Sequence, residues 1–176
     1  MFKAYRCKFC GDVYMGDGPS SHCPYCGAHN QFLLPVEQWV PPAIASLSPQ
    51  AKTNLEGALR LEVENAAYYS AAAGKVAELP WQGVFKYLAR IESEHASTIR
   101  KALGLAVNPA AEQYDVTPDL KAAIGEIKRR ESRAEEFYGK ALEEASEPRA
   151  QEIFSILIEI EADHLNLANE TLGKLA

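Results

Sequence analysis

Eight chemically distinctive residues recur in this chain at one fixed offset. Glu62 and Glu131 lie 69 positions apart, as do Tyr69 and Tyr138, Glu92 and Glu161, and His95 and His164. Phe85 and Phe154, Leu88 and Leu157, Ile91 and Ile160, and Gly104 and Gly173 share that offset. A repeat of this length matches an internal duplication of a helix pair. Two equivalent halves pack around a pseudo-twofold axis. Whatever stands at mid-helix in one half then meets its counterpart from the other.

The repeated residues lie on apolar stripes of helical period. Leu55, Leu59, Glu62, Ala66, Tyr69 and Ala73 form the first stripe, and Phe85, Leu88, Glu92, His95, Ile99 and Ala102 the second. Ile124, Ile127, Glu131, Ala134, Tyr138 and Ala141 form the third, and Phe154, Leu157, Glu161, His164 and Ala168 the fourth. This pattern predicts helices at about 49–78, 82–103, 118–145 and 148–172. Ser48 followed by Pro49 reads as an N-cap and first helical position, and Thr117-Pro118 as another start. Pro80 and Pro148 fall at two short turns. The segment 104–117 can extend to roughly 45 Å. A helix of 25 residues is roughly 38 Å long. The segment can therefore run the length of a bundle, which predicts a mainly α fold: a ferritin-like four-helix bundle with one long crossover.

Each helix thereby puts a carboxylate into a core position. An unpaired buried carboxylate costs several kcal/mol even after relaxation. Four in one bundle require positive charge between them. The bland alternative, four solvated glutamates, fails on the shared offset. Glu92 with His95, and Glu161 with His164, stand three residues apart on one helical face. The set Glu, Glu-x-x-His, Glu, Glu-x-x-His is the ligand pattern of di-iron and di-manganese carboxylate bundles. Two of the carboxylates can bridge two ions while the other two cap them. Four carboxylates also balance two Fe(II) ions, so much of the net charge of −6 is a metal requirement.

The four cysteines, Cys7, Cys10, Cys23 and Cys26, form two CxxC pairs with twelve residues between them. Such pairs can present four sulfurs as a tetrahedron, the geometry suited to zinc or a single iron. Gly11 and Gly27 follow the pairs and allow the backbone to turn around the metal. A segment this short cannot fold on its own core, so a metal must hold it. Tyr5, Phe9, Tyr14, Tyr25 and Phe32 would surround the site with aromatics and favour iron; a structural zinc ribbon is the alternative. This part spans 1–34. Residues 35–48, with Pro35, Pro41 and Pro42, form an extended linker that packs on something, and 49–176 form the bundle.

The acidic balance, with a pI of about 5.3, argues against nucleic acid as a partner. No apolar run approaches the length of a membrane span. Residues 1–10 carry Lys3, Arg6 and Lys8 without an apolar core, so no secretory leader is expected, and a cytoplasmic location is.

The segment YRCKFCGDVY, followed by CPYCG, resembles rubredoxin knuckles in their short form. Together with the bundle pattern, nearly the whole chain resembles a rubrerythrin with its domains in reversed order. That resemblance implies an Fe(Cys)₄ centre and a di-iron site. In it, Glu92 and Glu161 bridge the irons, Glu62 and Glu131 are terminal, and His95 and His164 complete the set. Tyr69 and Tyr138 would hydrogen-bond the bridging carboxylates. The family carries a further glutamate three residues after the third-helix ligand; this chain has Ala134 there, and Glu135 is its possible substitute. The implied activity is an NAD(P)H-linked peroxidase that reduces hydrogen peroxide to water in oxidative-stress protection. Its electrons come from a rubredoxin or a reductase and pass through the cysteine centre. A ferroxidase or iron-handling protein is the alternative, and a zinc-bearing sensor or structural protein a third. A tethered knuckle is expected to dock on a partner subunit's bundle, hence a homodimer.

Overall fold

The computed structural model describes residues 2–42 and 46–175. Ala43, Ile44 and Ala45, inside the expected linker, lie outside the described residues. Four helices follow: α1 (Pro49–Ala73), α2 (Leu79–Ala102), α3 (Leu120–Glu144) and α4 (Pro148–Lys174).

Helix α1 starts where Ser48 takes extended backbone angles and its hydroxyl accepts the Ala51 N–H, with Pro49 in the first turn. It stops at Ala73 rather than 78. Buried Val76 turns the chain there: its amide bonds Ala72 O and its carbonyl accepts from Gln82. Pro80 therefore lies in the first turn of α2. Helix α3 starts at Leu120, because Asp119 rather than Thr117 caps it. The Asp119 carboxylate accepts the Ala122 N–H at 2.7 Å, while Thr117 Oγ1 accepts the Asp119 N–H at 3.2 Å. A carboxylate at a helix N-terminus also gains from the helix dipole, which a hydroxyl does not.

Contacts are densest within the two hairpins, α1 with α2 and α3 with α4. Asn54 meets Glu144 while Asn65 meets Arg130, so α1 and α3 run antiparallel. The starts of α1 and α4 meet where Ser48 N donates to Glu147 Oε1 at 2.5 Å. The connection between α2 and α3 must therefore travel from one end of the bundle to the other. On its way Tyr114 packs edge-on against Tyr68. The fold is the ferritin-like bundle with one long crossover.

The apolar core falls into two blocks. One holds Leu55, Ile99, Tyr138 and Phe154; the other holds Tyr69, Phe85, Ile124 and Ala168. On every helix the change from one block to the other occurs close to its buried glutamate. The polar belt thus interrupts the core at mid-height.

The amino-terminal part is a small antiparallel sheet, β1 (Lys3–Cys7), β2 (Val13–Gly16) and β3 (Leu33–Pro35), with β1 in the middle. The expected linker begins inside this sheet, at Pro35. Trp39 then folds back: its indole N–H donates to Cys7 O at 3.2 Å, and the Arg6 guanidinium lies 3.6 Å above its ring.

This knuckle sits on the bundle of its own chain. A Cβ at Gly27 would come within 3.2 Å of Ile160 and 3.8 Å of Ile91, so glycine allows the loop to press onto α2 and α4. Arg90 donates to Pro24 O at 3.0 Å, and Arg149 to Phe9 O at 3.0 Å and Lys8 O at 3.3 Å. The bundle thus presents an apolar patch flanked by guanidinium groups that match the carbonyls of the knuckle loops.

Candidate metal centres

The two CxxC loops are built alike. Cys7 N donates to Asp12 O at 2.9 Å and Cys23 N to Ala28 O at 2.7 Å. Gly11 and Gly27 close the turns with φ of 85° and 79°, a conformation that glycine adopts at little cost. All four sulfurs are buried and near one another; Cys7 Sγ is 3.7 Å from Cys26 Sγ, and Cys10 Sγ is 3.9 Å from Cys23 Sγ. Hydrogen bonding with Cys10 pulls Cys7 and Cys23 below the usual thiol range, while hydrogen bonding with Cys23 and Cys10 pushes Cys10 and Cys26 above it. Sulfurs that compete for protons in a dry cage favour a cation in their place. The cage suits a single iron. Of the five expected aromatics, Tyr5 and Phe9 are buried and Tyr14 and Phe32 half-buried, but Tyr25 faces solvent. Trp39, at the back of the cage, carries no such signal because it lies in the segment expected to be linker, 35–48.

In the bundle, Glu62, Glu92, His95, Glu131, Glu161 and His164 converge in two overlapping groups. Glu62, Glu92, His95 and Glu161 form one; Glu92, Glu131, Glu161 and His164 form the other. Glu92 and Glu161 belong to both. His95 Nδ1 lies 3.0 Å from Glu92 Oε2 and 3.4 Å from Glu161 Oε1, whereas His164 Nδ1 lies 3.3 Å from Glu92 Oε1 and 2.9 Å from Glu161 Oε2. Each shared carboxylate therefore turns one oxygen toward each histidine. Glu62 stands 3.4 Å from His95 Nδ1, and Glu131 stands 3.8 Å from His164 Nδ1.

Burial, reinforced by the neighbouring carboxylates, drives Glu62 and Glu131 well above the usual carboxylate range. Burial acts the same way on Glu92, but hydrogen bonds with His164 and His95 outweigh it and pull Glu92 down. Burial disfavours a charged His95; the charge of Glu62 and contacts with Glu161 and Glu92 overcome it and raise its pKa well above normal. His164 rises for the same reason, through Glu161 and Glu92.

The fit to a metal pair rests on unpaired oxygens. Glu62 Oε2, Glu92 Oε1, Glu131 Oε2 and Glu161 Oε1 are buried without a hydrogen bond. Such acceptors normally find a partner. Here one is left on every glutamate of the belt, as a divalent pair between four carboxylates requires. The cage suits two irons.

Tyr69 and Tyr138 differ from expectation. They bond the outer carboxylates rather than the shared ones, and do so crosswise: Tyr69 donates to Glu131 Oε1, and Tyr138 to Glu62 Oε1 at 2.5 Å. The antiparallel course of α1 and α3 brings each tyrosine beside the other helix's glutamate. Burial, and then the charge of Glu131 or Glu62, pushes both phenols well above their usual range, so each keeps its proton. Ala134 is buried beside the cage, and half-buried Glu135 joins neither group among the described residues.

His95 also reaches outward. Its Nε2 lies 2.8 Å from the carbonyl oxygen of Cys26, and Phe9 packs edge-on against its ring at 5.7 Å. One imidazole thus touches both cages.

Fold and cages together define a ferritin-like carboxylate bundle for two metals, joined to a four-cysteine knuckle. A family model described as Rubrerythrin matches residues 53–172, and the chain belongs to that family. Membership agrees with the di-iron cage of the bundle. No curated protein matches the sequence. Among solved structures, a hypothetical protein from Pyrococcus furiosus resembles it with a TM-score of 0.59 and 20% identity, over 70% of this chain and 88% of that one. That likeness concerns the fold alone.

Proposed function

We propose that the protein is a peroxidase that reduces hydrogen peroxide to two waters, taking two electrons from its bundle site and two protons. The observation that carries this reading is the His95 imidazole, with Nδ1 among Glu62, Glu92 and Glu161 and Nε2 on Cys26 O. A ferroxidase takes electrons from iron itself and has no use for a cysteine cage wired to its active site. A reduced di-iron pair supplies the two electrons for O–O cleavage when bound.

The chain's own residues do the rest. Glu92 and Glu161 hold the shared positions, Glu62 with His95 and Glu131 with His164 the outer ones. Tyr69 and Tyr138 keep protons at Oη beside the outer carboxylates. Cys7, Cys10, Cys23 and Cys26 would hold the relay iron, and the hydrogen bond between His95 Nε2 and the Cys26 carbonyl would give a short bonded path between that centre and the bundle site. The external donor is a rubredoxin or an NAD(P)H-dependent reductase in the cytoplasm. A homodimer remains part of this reading; within one chain the knuckle already stands beside its own bundle site. Among the described residues, no helix is long and apolar enough to cross a membrane.

The test is anaerobic mixing of the fully reduced protein with hydrogen peroxide or with oxygen. Reoxidation much faster with peroxide supports the proposal. Faster reaction with oxygen turns it into a ferroxidase. A colourless, zinc-loaded cysteine site removes the relay.

A further inference from the structure

Two histidines take no part in either cage. We propose that His22, His29 and Asp163 form a third metal site, on the surface, that takes one divalent transition ion and spans the junction between knuckle and α4. Among the described residues these three are the remaining group whose ligand atoms lie within 4.8 Å of one another.

The knuckle brings the two histidines together by pairing their backbones in an antiparallel bridge, with ring centroids 4.8 Å apart. Asp163 comes from α4. Its Oδ2 lies 2.8 Å from His29 Nε2 and 3.3 Å from His22 Nε2. The opposite nitrogens are both held. His22 Nδ1 is 3.0 Å from Ser21 Oγ, and His29 Nδ1 is 3.3 Å from Glu159 Oε2. Glu159 is itself fixed by Gln31 Nε2 at 2.9 Å. Both rings therefore turn Nε2 to one point. An imidazole whose outer nitrogen rests on a carboxylate or hydroxyl is oriented as metal-bound histidines are.

Two imidazoles and one carboxylate form a borderline donor set, suited to Zn(II), Co(II), Ni(II) or Fe(II) rather than Mg(II) or Ca(II). His22 and Asp163 are 45% and 47% exposed, so water completes the coordination and the ion exchanges with solvent. An ion there ties the loop that carries Cys23 to the helix that carries His164. The proposal does not depend on the peroxidase reading.

The test uses the full-length, iron-loaded protein dialysed against low concentrations of Zn(II), with zinc and iron counted together. One zinc per chain is expected beyond an unchanged iron content, and excess Mg(II) does not displace it. His29→Gln abolishes this equivalent, and His22→Gln, at an exposed position, weakens it by about tenfold or more. An unchanged visible spectrum of the cysteine centre reports that the knuckle remains folded. No added zinc in the parent protein, or zinc that both variants retain, overturns the proposal and leaves a plain histidine–carboxylate latch. Displacement by Mg(II) overturns the assigned class of ion.

Discussion

The two halves of the bundle have equivalent ligands and unequal surroundings. In the α1–α2 half, His95 is fully buried, and the knuckle closes over it through Phe9 and the Cys26 carbonyl. In the α3–α4 half, His164 keeps 7% exposure, and no knuckle carbonyl among the described residues meets its ring. The helix starts differ too. Glu78 and Glu147 occupy matching N-cap positions, but only Glu147 reaches across to Ser48. Duplication accounts for the cage, and the knuckle breaks its symmetry. The belt therefore has one side facing the cysteine cage and one side nearer solvent.

The sharpest way to probe this comparison is to contrast shared with private ligands. Glu92→Ala or Glu161→Ala touches both halves. Each is expected to empty both metal positions and lower peroxide reduction by more than about 100-fold. Glu62→Ala or Glu131→Ala is expected to cost one metal. Elemental analysis of the purified variants checks the count, and equal losses for all four would break the division into shared and private ligands.

The next effect concerns the docked half alone. Gly27→Ala sets a side chain at φ 79° and against Ile160. It is expected to destabilise the protein by about 1–3 kcal/mol. Electron transfer from the cysteine centre should slow by about tenfold, the equivalent of 1.4 kcal/mol, while peroxide oxidation of the pre-reduced bundle stays at its usual rate. Stopped-flow spectroscopy separates the two; equal slowing of both would show that the asymmetry has no kinetic meaning.

Where the halves remain equivalent, they should respond alike. Tyr69→Phe and Tyr138→Phe each leave an outer carboxylate without its donor, at a cost of about 1–3 kcal/mol. Denaturant unfolding of both variants should give matching losses. A large difference would mean that the crosswise pairing supports one half only.

The smallest effect is a pH dependence. Hydrogen bonding from the Ser48 amide, and then from its side chain, lowers the Glu147 pKa to about 2 from an ordinary 4.5. Its contribution is therefore present above pH 4.5 and is lost as pH falls toward 2. Glu147→Gln should flatten that part of the stability curve. Parallel acid titrations monitored by helical signal would show this.

The bundle was legible because its chemistry is written twice. A single buried glutamate could be an error of helical register; four at one offset, two with histidines three residues on, could not. The caps were partly legible. Ser48-Pro49 marks the start of α1, whereas Thr117-Pro118 puts the start of α3 two residues early, because the Asp119 carboxylate caps it. The docking of the knuckle had no sequence signal. It depends on Gly27 lying against Ile91 and Ile160, on Arg90 and Arg149 finding carbonyls, and on one outward imidazole nitrogen. Surface complementarity of this kind has no period and no spacing. The crosswise tyrosines were hidden for a related reason: their partners follow from the antiparallel course of α1 and α3, which emerges only when the crossover is in place.

The bond from His95 to Cys26 also bears on loading. An ion on Nδ1 occupies that nitrogen's lone pair, which leaves the proton on Nε2 and commits it to the Cys26 carbonyl. Without the ion, the carboxylates around Nδ1 favour the charged ring, and its Nε2 proton meets the same carbonyl. The latch therefore holds in either state. A chain that has not yet received its metals should keep its amino-terminus closed against a protease, so that the knuckle shelters an empty bundle while it waits to mature.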